Sequence, residues 1–184
     1  MAVFFTSDTH YNHANILKYC ERPFSDIQTH DRTLIENWNN IVKPKDTVYH
    51  LGDFGFASKR YLIQILRQLN GNIKFIRGNH DKSMKNEVLD YVEEMNVIHE
   101  IKIPDEEMDM KQHIIMCHYP LQTWNRSHWG SWHLHGHCHG GLPSPDTMAR
   151  YDVGVDTNDF TPVPYEQIKL IMTHKVLKPP KRHT

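Results

Sequence analysis

The sequence predicts a layered α/β fold, with two sheets packed together and helices outside. Two observations carry that expectation. Short apolar runs alternate with amphipathic helical patterns early in the chain and follow one another more closely late in it. Five of the runs end in a polar cluster rich in Asp, Asn and His, and sites in open α/β sheets lie beyond the carboxyl ends of strands.

Residues 2–7 read as a buried first strand that runs into the polar turn Asp8-Thr9-His10. Residues 14–19 suit a short helix, and Pro23 breaks the chain. Ile27, Leu34, Ile35, Trp38, Ile41 and Val42 recur at helical spacing, which predicts an amphipathic helix over 26–42. A second strand over 47–51 ends in Gly52-Asp53. Ser58 caps the next helix, whose apolar face is Tyr61, Leu62, Ile65, Leu66 and Leu69, with Asn70-Gly71 as its stop. A third strand over 72–76 ends in Arg77-Gly78-Asn79-His80-Asp81. A helix is expected near 84–95, then strands over 97–103 and 113–116, with the acidic stretch 104–109 as an exposed turn between them. The second of these strands ends in Cys117-His118. A Trp-, Ser- and Gly-rich loop spans 121–132, and 133–135 leads into Gly136-His137-Cys138-His139. A last core strand over 151–155 precedes a closing helix over 164–172 and a loosely ordered basic tail, 175–184.

At 184 residues the chain fits one domain, 1–184, large enough to bury roughly 70% of its unfolded surface. Its 21 basic and 22 acidic residues leave a net charge of −1, so composition gives no extended nucleic-acid surface and no attraction to an anionic membrane. No apolar run approaches a membrane span, and the opening residues lack a basic leader. Three scattered cysteines with no CxxC pair point to a reducing compartment, and the expectation is a cytoplasmic protein. The 15 histidines stand out because most of them fall in short patterned clusters, and imidazole is the commonest protein metal ligand.

Hydrolysing a phosphate ester at neutral pH requires a nucleophile, neutralised phosphoryl oxygens and a stabilised leaving oxygen. Two divalent ions roughly 3.5–4 Å apart supply most of that, and the protein must supply a carboxylate touching both. Asp53, isolated after a glycine, suits the bridge. Asp8, His10, Asn79, His118, His137 and His139 complete a mixed N/O set without thiolate. Such a set fits Mn²⁺ first, with Fe²⁺, Ni²⁺ or Zn²⁺ as alternatives. Gly52, Gly78 and Gly136 each precede a proposed ligand, where close backbone approach or positive φ is expected.

The ordered set Asp8-Thr9-His10, Gly52-Asp53, Gly78-Asn79-His80-Asp81, His118 and Gly136-His137-Cys138-His139 resembles the signature of the calcineurin-like metallophosphoesterase superfamily. That resemblance implies a four-layer αββα sandwich of two mixed sheets flanked by helices. It also implies one metal on Asp8, His10 and His139, a second on Asn79, His118 and His137, and Asp53 between them. By the same resemblance His80 faces substrate and aids the leaving oxygen, with Asp81 orienting its imidazole. Phe54-Gly55-Phe56 follows Asp53 where the family's protein phosphatases carry an Asp-Arg-Gly motif, which argues against that activity. The opening residues and the 124–136 stretch resemble small bacterial and phage members.

His13, near a helix start, is a candidate phosphate contact, as are Asn12 and, through its bidentate guanidinium, Arg126. Trp124, Trp129 and Trp132 offer either base-stacking faces or loop staples. His50 reads as a satisfied core histidine, and Cys138 as structural. The expected function is hydrolysis of a small nucleotide or cyclic-nucleotide phosphodiester. The alternatives are a phosphomonoesterase or nucleotide pyrophosphatase with the same core, a DNA nuclease, and a non-catalytic metal-binding scaffold.

Overall fold

The computed structural model describes residues 1–105, 110–143 and 145–175. Most of the expected acidic turn (106–109) and of the basic tail (176–184) lies outside the described residues. Among the described residues the nine strands are β1 (Val3–Thr6), β2 (Thr47–His50), β3 (Asn72–Phe75), β4 (Glu93–Glu94), β5 (Ile98–Asp105), β6 (Met110–Cys117), β7 (Trp132–His135), β8 (Arg150–Asp152) and β9 (Val163–Pro164). The α-helices are α1 (Ile16–Tyr19), α2 (Ile27–Ile41), α3 (Lys59–Leu66) and α4 (Tyr165–Thr173).

The strands form two mixed sheets, as expected. One has the order β4-β3-β2-β1-β9 and the other β5-β6-β7-β8. β1 to β4 are parallel, with β9 antiparallel at the edge; β6, β7 and β8 are parallel, with β5 antiparallel. Alternation along each strand divides the core. Phe4, Val48, Ile73 and Phe75 pack against Leu34 and Trp38 of α2 and Leu62, Ile65 and Leu66 of α3. Phe5 points to the other face and meets Ile114, Met116, Trp132 and Leu134 of the second sheet, together with Ile168 and Met172 of α4. Each such side chain, fully buried, contributes roughly 1.5–3 kcal/mol.

The helix starts follow the expected chemistry. The Asp26 carboxylate accepts from Thr29 N at the start of α2, and the Ser58 hydroxyl accepts from Tyr61 N at the start of α3. The helix expected over 84–95 is instead a 3-10 segment, Asn86–Tyr91, followed by β4. Lys85 is extended and Asn86 takes φ 54°, which breaks an α-helical path between the two buried anchors Met84 and Val88. β5 and β6 run longer than expected because they stay in register as far as the pair Asp105 and Met110, whereas β8 ends at Asp152, short of the strand expected over 151–155.

His50 is fully buried and satisfied, with Thr9 Oγ1 3.0 Å from Nε2 and Gly52 N donating to Nδ1 at 3.2 Å. Burial pushes its imidazole down to about 3. Unfolded, the same side chain titrates near 6.5, so its neutral form costs nothing above that pH and opposes folding as pH falls toward 3. The stability difference between wild type and His50→Gln is therefore expected to shift against wild type by about 2 kcal/mol between pH 7.5 and pH 5, read from urea unfolding. A difference independent of pH contradicts this assignment.

Candidate metal centre

Parallel pairing puts the carboxyl ends of β1, β2 and β3 at one edge of the first sheet, and those of β6 and β7 at one edge of the second. The edges are stitched together. Ser7 bridges to Gly154, Gly136 N donates to His118 O, and His137 N donates to Asp8 Oδ2 at 2.9 Å. Residues spread from position 8 to position 139 meet as a result.

Three groups of side chains form there, each with ligand atoms within 4.8 Å of one another: Asp8, His10 and His139; Asp8, Asp53 and His118; and Cys20, His139 and Asp156. Asp53 Oδ2 stands 3.6 Å from His10 Nε2 and 3.5 Å from His118 Nε2, between an imidazole of each proposed metal position. Asn79 Oδ1 lies 3.1 Å from His118 Nε2. The His137 ring packs against that of His118, with centroids 5.1 Å apart, on the exposed side of the cluster.

The backbone is strained here. Asp8, His10, Asp53, His137 and His139 all adopt positive φ, between 47° and 72°. Left-handed backbone costs a non-glycine residue of order 1–3 kcal/mol and persists where the surrounding structure overdetermines it. The close approach expected at the glycines is met at Gly78 and Gly136. A Cβ on Gly78 would collide with Asp53, and one on Gly136 with Ser7 and Asp8.

The donor set fits divalent cations. His118 Nδ1–H donates to Leu51 O at 2.8 Å, so its Nε2 lone pair faces the oxygens of Asp53 and Asn79. A divalent cation would satisfy three acceptors turned on one another. Asp8 Oδ1 and His10 Nε2 are buried without a hydrogen-bond partner. Burial pushes the Asp8 carboxyl up to about 7 and holds His10 well below the usual imidazole range, so the His10 nitrogen remains a lone-pair donor. Burial also lowers His139, but Asp156, Cys20 and Asp8 together raise it to about 10. A cation held by His139 would take the place of that proton.

Not every expected site residue behaves as expected. His80 faces the cleft, its ring 5.6 Å from that of His10. Asp81, expected to orient the His80 imidazole, instead accepts from the backbone N–H groups of Asp53, Phe54 and Gly78, at 2.7, 2.9 and 2.7 Å. Its carboxylate ties two ligand turns together, because the tight Gly78 turn leaves their amides converging on it. His13 reaches the cleft, and its Nδ1 lies 3.1 Å from His10 Nδ1, which orients that ring. Asn12 holds Phe56 O through its amide at 3.5 Å rather than facing the cleft.

Arg126 is placed elsewhere. β6 and β7 are parallel, so the connection between them must return to the amino end of the sheet, where Gly130 O accepts from Gln112 Nε2. Arg126 sits on that returning loop, stacked over Trp129. Trp124 staples the loop to Ser131 and Trp132 is buried, whereas Trp129, 60% exposed, lies under Arg126 on the same loop. Cys138 lines the cleft beside His139, since the chain there turns through positive φ rather than running extended.

Two participants escaped the sequence reading. Asp156 Oδ2 accepts from His139 Nδ1–H at 2.7 Å, and Asp156 also takes Nε and Nη2 of buried Arg22, both at 2.7 Å. Arg22 donates in turn to Asp8 O and Thr9 O. Asp156 follows the last second-sheet strand, so the strand-end rule would have marked it. Arg22 had no signal beyond its charge.

Residues 1–140 match the calcineurin-like phosphoesterase superfamily domain. The chain belongs to that family and is a metal-dependent phosphoester hydrolase. It is 37% identical over 185 residues to an uncharacterized protein of Methanocaldococcus jannaschii, covering 96% of this chain and 94% of that one. It is also 28% identical to the gene 66 protein of Mycobacterium phage D29, covering 88% and 92%. Among solved structures it is similar to a protein of unknown function from Aquifex aeolicus, with a TM-score of 0.68, 24% identity, and coverage of 92% and 98%. Among the described residues no helix is long and apolar enough to cross a membrane.

Asp156→Ala is expected to weaken metal binding by about 10–100-fold, because His139 loses the partner that sets its tautomer and direction. Titrating metal-free protein with Mn²⁺ checks this, and unchanged affinity contradicts it.

Proposed function

We propose that the chain hydrolyses small phosphodiesters of the nucleotide or cyclic-nucleotide class, with Mn²⁺ as the favoured metal. The observation that carries the reading is the position of Asp53 Oδ2 between His10 Nε2 and His118 Nε2, with the orphaned Asp8 Oδ1 and His10 Nε2 beside it. In this reading Asp8, His10 and His139 hold one ion, Asn79, His118 and His137 hold the other, and Asp53 serves both. When bound, such a pair neutralises the phosphoryl charge and acidifies a water enough for attack at neutral pH. The chain's own residues do the rest. Asp81 fixes the Asp53 and Gly78 turns, Asp156 and His13 aim two imidazoles, and His80 supplies a proton to the leaving oxygen.

The diester preference rests on the cleft beside His80. A cavity of about 580 Å³ opens there, lined by His10, His13, Tyr19, Phe56, His80 and His139 among others, with no Lys or Arg among the described residues of its wall. A monoester brings an extra terminal charge that this wall does not answer. A diester brings a second ester group that needs the room. The test is metal analysis of the purified protein coupled to paired rates on bis(p-nitrophenyl) phosphate and p-nitrophenyl phosphate, with cyclic nucleotides in the panel. Faster diester turnover is expected. A monoester preference moves the reading to a phosphomonoesterase, and no turnover of any ester by metal-loaded protein overturns it.

A further inference from the structure

We propose that Tyr19 and Phe56 form an aromatic clamp that receives a nucleobase carried by the phosphoester substrate, an assignment that rests on the phosphodiesterase reading above. The two rings stand at the mouth of the cavity beside His80 and are the reverse of core residues. Tyr19 is 73% exposed and Phe56 57%, whereas their near neighbours in sequence, Tyr11 and Phe54, are fully buried. Exposed apolar surface at the rim of a concave site marks a binding surface.

The rings are fixed relative to the metal centre. His13 lies near both, with its centroid 5.1 Å from Phe56 and 6.3 Å from Tyr19, the latter nearly edge-on at 75°. The same His13 touches His10 through its Nδ1, and Phe56 also approaches His80 at 6.2 Å. Phe56 is held by its backbone, with its N–H donating to Tyr11 O at 2.9 Å and its carbonyl accepting from Asn12. Tyr19 closes α1, where its N–H donates to Asn15 O at 3.0 Å. A ring entering this box lies beside the group expected to protonate the leaving oxygen.

The wall also selects the kind of ring. Among the described residues it carries imidazoles, aromatic faces, Ile16 and two thiols, but neither a carboxylate nor a guanidinium or ammonium group. That chemistry suits a neutral planar heterocycle, which stacks through its π-face, and does not suit a charged headgroup. The tryptophan loop, the sequence's other aromatic candidate, lies at the opposite end of the second sheet and does not take part.

The experiment is calorimetric binding of adenosine 5′-monophosphate and ribose 5-phosphate to Mn²⁺-loaded protein, two ligands that share a phosphate and sugar and differ in the base. Wild type is expected to bind the nucleotide about tenfold more tightly or better, a stacking contribution. Tyr19→Ala and Phe56→Ala each cut that ratio, and the double variant brings it close to one. Trp129→Ala leaves it unchanged. A wild-type ratio near one, or a ratio that survives the double substitution, overturns the clamp while leaving the hydrolase reading intact. If neither ligand binds and no diester is turned over, the hydrolase reading and the clamp fall together.

Discussion

Asp53→Asn is expected to lose most of the bound metal and at least about three orders of magnitude in phosphoester turnover, because bridging metal chemistry contributes several kcal/mol to the barrier. The argument is geometric. Asp53 is 1% exposed and its two oxygens have separate tasks. Oδ1 accepts from His80 N at 2.8 Å and fixes the turn, while Oδ2 faces His10 and His118. Asn keeps the volume and one acceptor, so the turn can be retained. It removes the full negative charge and puts an amide where two imidazole nitrogens point. The fold is thus expected to survive with its unfolding midpoint little changed, while metal stoichiometry measured by atomic emission drops. Near-normal turnover in this variant would remove the basis for a shared centre.

The substitution also separates what the sequence made legible from what it hid. Asp53, Asp8 and His118 could be read because each follows a short apolar run, and parallel strands deliver such endings to one edge. The strain could not be read. Asp8, His10, Asp53, His137 and His139 all take left-handed backbone, a conformation their side chains do not announce. Nor could the partners that reach the site across long separations, such as Arg22 and Asp156, which are 134 residues apart. Arg126 misled, and the tryptophans stayed open between stacking faces and loop staples, because their position depends on which strands pair in parallel. Two parallel neighbours force the intervening loop back to the end away from the site, and local composition carries no trace of that. Asp81 was placed in the right loop but given the wrong partner, since two of the three amides that converge on it belong to a turn 27 and 28 residues earlier. The helix expected over 84–95 failed for a more local reason, because two buried anchors did not outweigh the conformational preference of Asn86.

His80→Ala is expected to give the opposite signature to Asp53→Asn: metal retained, chemistry lost. The His80 side chain is exposed in the cleft, whereas its backbone N–H, not its ring, serves the cluster by donating to Asp53 Oδ1. Alanine preserves that N–H and therefore the turn. What disappears is the imidazole near His10, His13 and Phe56, on the side where the second ester group is expected to sit. A proton donor matters in proportion to how poorly the departing oxygen carries negative charge. The variant is therefore expected to lose about 10²–10⁴-fold in kcat on an alkyl or ribosyl leaving group, and far less on p-nitrophenolate, which departs without protonation. KM is expected to move less than kcat, because the proton is transferred as the bond breaks and not when substrate binds. An equal loss on both leaving groups would show that His80 acts on binding or on attack instead. Loss of metal would show that its ring, and not only its amide, belongs to the cluster.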